Sequence, residues 1–280
     1  MRKEVREPCA FCPETADITG EHIWSAWAGR MFGERRYTIT RKELDGRVRT
    51  WKLPHLGPKT NVVCGNCNNG WMSDLETRVK PIIGDMVCKC TETTLHDKDI
   101  ATIAVWAYTK AIVTEHSHNN RKPFFTFAER QLFRQTLSIP NGVQMWLASM
   151  PVQHGLFKSY VIETPLNAPR RFELNVFTYG LGHFVIQAVT ARWNKKALRW
   201  HTPPPVLTQA IEWDSCSIPF WPRSGAPISW PPAGHMSHQV VDAFVQRWTQ
   251  LIRGWCFLLW HIPLPPCLPF LSSVISLACT

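Results

Sequence analysis

Three features of the sequence predict an α+β chain in two parts. Two Cys-x-x-Cys pairs bracket the first part. Short strand-like runs bounded by turn residues occur in both parts and read as antiparallel neighbours. Between the runs lie helical stretches whose apolar residues recur three and four apart. The chain has 280 residues, 45% of them hydrophobic, which is enough to bury a sizeable core. The organisation read from the sequence is a first module over residues 1–85, a mixed α+β domain with an antiparallel sheet over 86–253, and an apolar, Pro-rich tail over 254–280.

The first module opens on Cys9-x-x-Cys12, followed by Glu21-His22. Tyr37–Thr40 and Val48–Trp51 flank Asp45-Gly46, a pair that supplies the positive φ angles of a tight hairpin turn. Asn61-Val62-Val63 reads as a strand entering Cys64-x-x-Cys67. Trp71, Leu75 and Val79 then give a helix an apolar face, with Pro81 and Gly84 expected to stop it. In the second part, Asp97 or Asp99 is expected to cap a helix with an inward stripe of Ile100, Ile103, Ala104, Ala107, Ala111 and Ile112.

A short helix is expected over 128–137, and strands over 143–148, 159–164, 172–179, 183–189 and 199–201. Residues 203–235 read as an ordered irregular segment, and 238–253 as an amphipathic helix carrying Val241, Phe244, Val245, Trp248 and Ile252. The tail lacks Lys, Arg, Asp and Glu, and four prolines argue against a straight membrane-spanning helix, so a docked or simply atypical apolar terminus is preferred to a membrane anchor.

Formal net charge is +10, which favours a polyanionic partner, nucleic acid above all. Arg170, Arg171, Arg192, Lys195, Lys196 and Arg199 make the second half basic. Charged residues are 19% of the chain, too few for long charged tails. The first residues, Met-Arg-Lys-Glu-Val-Arg-Glu-Pro, hold no apolar run, so a cytoplasmic chain with reduced thiols is expected. Its cysteines are then candidate metal ligands or small buried hydrophobes.

A Cys-x-x-Cys turn aims two thiolates at one ion, and two such turns complete a closed tetrahedral zinc site. Positions 13 to 63 separate the pairs, so spacing alone leaves open whether Cys9, Cys12, Cys64 and Cys67 share a metal. A closed four-cysteine site would staple the fold and leave no position open for catalysis. Cys88-x-Cys90 is a weaker pair, read as packed or surface residues, and His116 and His118 read as helix-end residues.

The order Cys-x-x-Cys, Glu21-His22, Cys-x-x-Cys-Asn68 resembles the HNH, or ββα-metal, endonuclease superfamily in its zinc-stapled form. The stretch Cys67-Asn68-Asn69-Gly70-Trp71-Met72-Ser73-Asp74-Leu75-Glu76 resembles a bacterial and phage subgroup of it. The resemblance covers roughly the first eighty residues. It implies a zinc-bound ββα-metal module in which Glu21 and Asn68 bind a catalytic divalent cation, Mg²⁺ above all, while His22 is the general base. Asn61 takes the place of an orienting residue, although the family's middle Asn commonly lies further ahead of the second pair, and the family's acidic residue is more often Asp. Hard oxygen donors suit Mg²⁺, and a neutral imidazole can take a proton from water. The implied activity is hydrolysis of phosphodiesters, in DNA more than RNA. Two alternatives stay open at this point. Glu21-His22 also reads as a surface Glu beside a packed His, and Asn68 as a helix cap. The whole module also reads as a non-catalytic zinc ribbon that binds nucleic acid or a partner.

Overall fold

The computed structural model describes residues 7–33, 37–42, 48–54, 56–116, 123–163, 172–193, 215–223, 225–237, 239–244, 246–248 and 270–279. Helices and antiparallel sheets are both present, as an α+β chain requires. The first strand, β1 (Ile18–His22), is followed by the short helix α1 (Ala26–Phe32) and by the hairpin β2 (Tyr37–Lys42) and β3 (Val48–Leu53). This hairpin pairs Tyr37 with Leu53 and Lys42 with Val48, and the Asp45-Gly46 turn itself lies outside the described residues. Next, β4 (Lys59–Cys64) returns to β1, with Ile18 opposite Cys64 and His22 opposite Lys59. A bulge between Thr19 and Gly20 shifts the register.

The chain leaves β4 through α2 (Gly65–Cys67) and a wide π-type turn, Asn68–Met72, into α3 (Ser73–Lys89). Two strands and a helix therefore follow one another in space, with α1 and the β2–β3 ribbon inserted between the strands. Helix α3 does not stop at Pro81 or Gly84, as its composition suggested. Proline in a helix interior costs about 3 kcal/mol. Burial of Leu75, Val79, Ile83, Met86 and Val87 along one face outweighs it. At Gly84 a Cβ would meet Met31 Cε at 3.5 Å, an ordinary van der Waals contact, so nothing in the packing breaks the helix there. The helix ends at Cys90, in the left-handed region with φ of 54°, and residue 85 lies within it.

After β5 (Thr93–Leu95) comes α4 (Asp97–Glu115), the central helix of the structure. Neither Asp97 nor Asp99 is its N-cap. His96 holds that place, and Asp99 accepts from the His96 backbone N–H at 3.0 Å. The expected inward stripe is buried, but Trp106, Tyr108, Thr109, Lys110 and Val113 are buried too, so nearly every face of the helix is covered. Helix α5 (Phe127–Thr136) follows, capped by Thr126, whose side-chain oxygen accepts from Glu129 N at 3.3 Å.

The four strands expected over 143–189 are two long ones, β6 (Val143–Glu163) and β7 (Phe172–Trp193). Turn-like residues that read as breaks sit at a bulge instead, where the register shifts between Ser149 and His154. Gly182 lies beside it with φ of +59°, and a Cβ there would come within 2.1 Å of Val87 O. The missing side chain lets β7 pass against α3. Strands β8 (Ser217–Trp221) and β9 (Ile228–Trp230) turn part of the expected irregular segment into pairing elements, β8 on β6 and β9 on β5. Residues 239–244 and 246–248 are helical, with Val241, Phe244 and Trp248 buried, and Asp242 pairs with Lys158 of β6. The strand expected over 199–201 lies outside the described residues. Strand β10 (Phe270–Cys279) docks the end of the apolar tail between β2 and β6, giving the order β3-β2-β10-β6-β7. Among the described residues, no helix is long and apolar enough to cross a membrane. One core joins the cysteine pairs to α3, α4, α5 and the inner faces of β6 and β7.

Candidate functional site

The two cysteine pairs meet. All four sulfur atoms lie within 4.8 Å of one another, and all four residues are buried. Cys12 Sγ is 3.5 Å from Cys64 Sγ and 3.8 Å from Cys67 Sγ. A tetrahedral zinc with Zn–S near 2.3 Å places its sulfurs about 3.8 Å apart, so the cluster fits a structural zinc. The backbone prepares it. N–H groups of Phe11 and Cys64 point at Cys9 Sγ, at 3.4 and 3.3 Å. Together with a hydrogen bond from Cys67 they hold the Cys9 thiol down at about 4, whereas its partner Cys67 is pushed up by that same bond and by burial. A Cβ at Gly65, inside the second turn, would lie 2.2 Å from Asp17 Oδ2, so any larger residue there would have to displace the exposed Asp17 carboxylate.

Arg130 of α5 braces the first cysteine turn, its Nε donating to Ala10 O at 2.7 Å and its Nη1 to Phe125 O at 2.6 Å. Behind it Glu115 is buried, with Oε2 accepting from Phe124 N at 2.8 Å and Oε1 3.9 Å from Arg130 Nη1. Burial outweighs the nearby Arg130 and raises the Glu115 carboxyl from 4.5 to about 8. The folded state therefore holds this proton more tightly than the unfolded chain. Its contribution to stability is complete at acid pH and is lost as pH rises through about 8. Melting temperature should fall between about pH 4.5 and about pH 8, and Glu115→Gln should flatten that slope. An identical slope in the variant would rule out Glu115 as its source.

Beside the cysteine cluster, β1, α1, β4 and the start of α3 enclose a cleft of about 570 Å³. Glu21, His22 and Asn68 all line it, so three of the residues picked out in the sequence converge. Asn61 does not join them. It sits on the exposed side of β4 opposite Gly20, its Oδ1 3.0 Å from where a glycine Cβ would be. Asn68 is held by Thr19, its Nδ2 donating to Thr19 Oγ1 at 2.9 Å while Thr19 Oγ1 donates to Val63 O at 2.9 Å. That ties the turn after Cys67 to the β1–β4 hairpin and leaves the amide oxygen without a hydrogen bond among the described residues. Arg30, Lys59 and Lys80 stand around the cleft on α1, β4 and α3, and none forms an ion pair with a described carboxylate.

Two further residues stand out here that the sequence motif does not single out: Glu76, which lines the cleft, and Lys110, buried behind Glu21 and Glu76. Lys110 Nζ lies 2.9 Å from Glu21 Oε1, 3.0 Å from Glu76 Oε1 and 3.1 Å from His22 O. Glu76 also accepts from Ser25 Oγ, Trp27 Nε1 and Trp106 Nε1, at 2.8, 2.6 and 2.9 Å. Burial alone would raise the Glu76 carboxyl, but Lys110 and the indole donors outweigh it and hold it below 4.5. Burial likewise disfavours the Lys110 ammonium, and the two carboxylates reverse that and raise its pKa. A signal for both was present. Glu76 falls between Met72 and Val79 on the apolar face of α3, and Lys110 follows Trp106 and Ala107 on that of α4. A charge inside an apolar stripe requires a buried partner.

His22 ends β1, half-buried, and its imidazole is depressed below 6.5 by burial and by Lys59 and Lys110, only partly offset by Glu21. It is neutral at pH 7 and able to accept a proton. Of the proposed cation ligands, Glu21 has one oxygen committed to Lys110. Its Oε2 and Asn68 Oδ1 have no hydrogen-bond partner among the described residues. Comparison with known protein families, characterised proteins and solved structures finds no match to this chain.

Proposed function

We propose that this chain is a metal-dependent endonuclease of the HNH type that hydrolyses nucleic-acid phosphodiester bonds, in DNA more than RNA. The convergence of Glu21, His22 and Asn68 in one cleft, on a hairpin and helix joined through the four-cysteine cluster, is the observation that carries the reading. His22 takes the proton of the attacking water. Glu21 and Asn68 are the residues that would hold a divalent cation, Mg²⁺ above all, and such an ion supplies charge stabilisation at the phosphate and the leaving oxygen. Arg30, Lys59 and Lys80 receive the flanking phosphates. The zinc at Cys9, Cys12, Cys64 and Cys67 is structural. The test is nicking of supercoiled plasmid, and of labelled RNA, by zinc-loaded protein with Mg²⁺, Mn²⁺ or Ni²⁺. Cleavage that requires the added ion supports the reading.

One observation favours a second reading. The Lys110 ammonium already neutralises Glu21, as it would in a zinc-stapled module that binds nucleic acid without cutting it. Absence of cleavage with every ion and substrate, together with retained binding, would decide for that reading. Both share one expectation. With a net charge of +10, binding should be mainly electrostatic and weaken on the order of a hundredfold or more between about 50 and about 200 mM salt. An affinity that stays flat over this range, measured by fluorescence anisotropy, would exclude a phosphate-dominated interface.

A further inference from the structure

Three oxygen atoms surround one buried nitrogen behind the wall of the cleft. Glu21 Oε1, Glu76 Oε1 and the His22 carbonyl lie 2.9, 3.0 and 3.1 Å from Lys110 Nζ. Two carboxylates and a carbonyl form an oxygen set of the kind that hard divalent cations take. They come from three elements, the end of β1, the first turns of α3 and the middle of α4. The lysine side chain is 2% exposed, and its partners Glu21 and Glu76 are 9% and 22% exposed. Water therefore has little part in balancing the two negative charges, and the ammonium supplies the balance.

We infer that Lys110 is a built-in cation, a positioning residue standing where a divalent ion would otherwise bridge Glu21 and Glu76. From α4 it fixes the carboxylate of Glu21 and, through the backbone carbonyl, the placement of His22. It also closes the Glu21–Glu76 bridge to metal, so an exchangeable ion in the cleft is confined to what Glu21 Oε2 and Asn68 can hold. The inference concerns the cleft of the proposed nuclease but rests on the three distances, not on catalysis.

With a neutral side chain at position 110, Glu76 keeps its bonds from Ser25, Trp27 and Trp106, but the two negative charges lose the cation between them, which a proton or a metal ion can replace. A divalent ion binds oxygen at about 2.1 to 2.6 Å, so a small inward movement of the two carboxylates completes a site.

The experiment counts Mn²⁺ bound to the full, zinc-loaded chain by electron paramagnetic resonance and follows melting with and without Mn²⁺. Lys110→Met and Lys110→Gln are each expected to bind one more Mn²⁺ than the parent, and to gain more melting temperature from Mn²⁺ than the parent does. Lys110→Arg keeps the charge and should gain no ion. Lys110→Met combined with Glu76→Gln should lose the extra ion. Equal Mn²⁺ counts in parent and neutral variants would overturn the inference. So would an extra ion that survives the double substitution, or neutral variants that stay unfolded in saturating Mn²⁺. Failure of the nuclease reading looks different. A parent that neither cleaves nor binds Mn²⁺, beside a Lys110→Met that binds one ion, leaves this inference standing and removes the other.

Discussion

Replacing His22 with alanine is expected to lower phosphodiester cleavage by about a hundredfold or more, the usual scale for losing a general base. The backbone that carries the ring is held on both sides, since Lys110 donates to the His22 carbonyl and the next amide, Ile23 N–H, donates to Pro58 O at 2.9 Å. The substitution removes the imidazole and leaves the Glu21–Lys110–Glu76 cluster intact. Affinity for DNA should hardly move, because a ring that is neutral at pH 7 neutralises no phosphate. Burial and Lys59 keep the imidazole below its ordinary value, so cleavage by the parent should persist to more acidic pH than a free histidine base allows. Parent and variant are compared by initial nicking rates in Mg²⁺, with binding measured in parallel. A variant that nicks as fast as the parent would remove His22 from the mechanism.

The other large effect is on stability. Cys64→Ser should abolish zinc binding and lower the melting temperature by on the order of 10 °C or more, since a structural zinc contributes directly to folding free energy. Cys64 has several roles. It ends β4, its N–H points at Cys9 Sγ, and its sulfur lies 3.5 Å from Cys12 Sγ. Loss of the ion leaves buried thiols without their metal beneath Phe11, whose ring meets Trp71 edge-on, and Trp71 in turn meets Phe133. Damage should therefore reach α5, through that aromatic contact and through the bond from Arg130 to Ala10. Zinc content by elemental analysis and a melting curve check the result together. A parent lacking zinc, or a variant that melts with the parent, would contradict it.

Much of the fold and part of the site were legible in the sequence, for reasons that differ by element. The Asp45-Gly46 hairpin and the strand entering Cys64 were readable because local turn chemistry and alternation decide them. The extent of α3 was not, because Pro81 and Gly84 argue locally for a stop while packing of Ile83, Met86 and Val87 decides for continuation. Likewise β6 and β7 read as four strands, since a bulge and a turn look alike from composition. In the site, Cys9, Cys12, Cys64, Cys67, Glu21, His22 and Asn68 are motif residues and stood out. Glu76 and Lys110 did not, because a single charged residue on a helix ordinarily faces water. Only the partner brought by another element explains its burial, and that partner is tertiary information.

The insertion of α1 and the β2–β3 ribbon between β1 and β4 has a consequence for how the molecule assembles. Hairpin strands usually meet within microseconds because a tight turn holds their ends together. Here the two strands that carry His22 and Cys64 must find each other across a long excursion of chain. An ion captured by Cys12 and Cys64, whose sulfurs lie 3.5 Å apart, would close the same gap, and a bound metal would then act as a clasp that makes the pairing of β1 with β4 effectively local. Refolding followed in a stopped-flow instrument should be faster with zinc present than with a chelator. Each doubling of such a loop adds only about 0.6 kcal/mol of closure entropy. Lengthening the ribbon at Asp45-Gly46 should therefore leave zinc affinity nearly unchanged, and the excursion is free to vary in length while the clasp and the cleft keep their form.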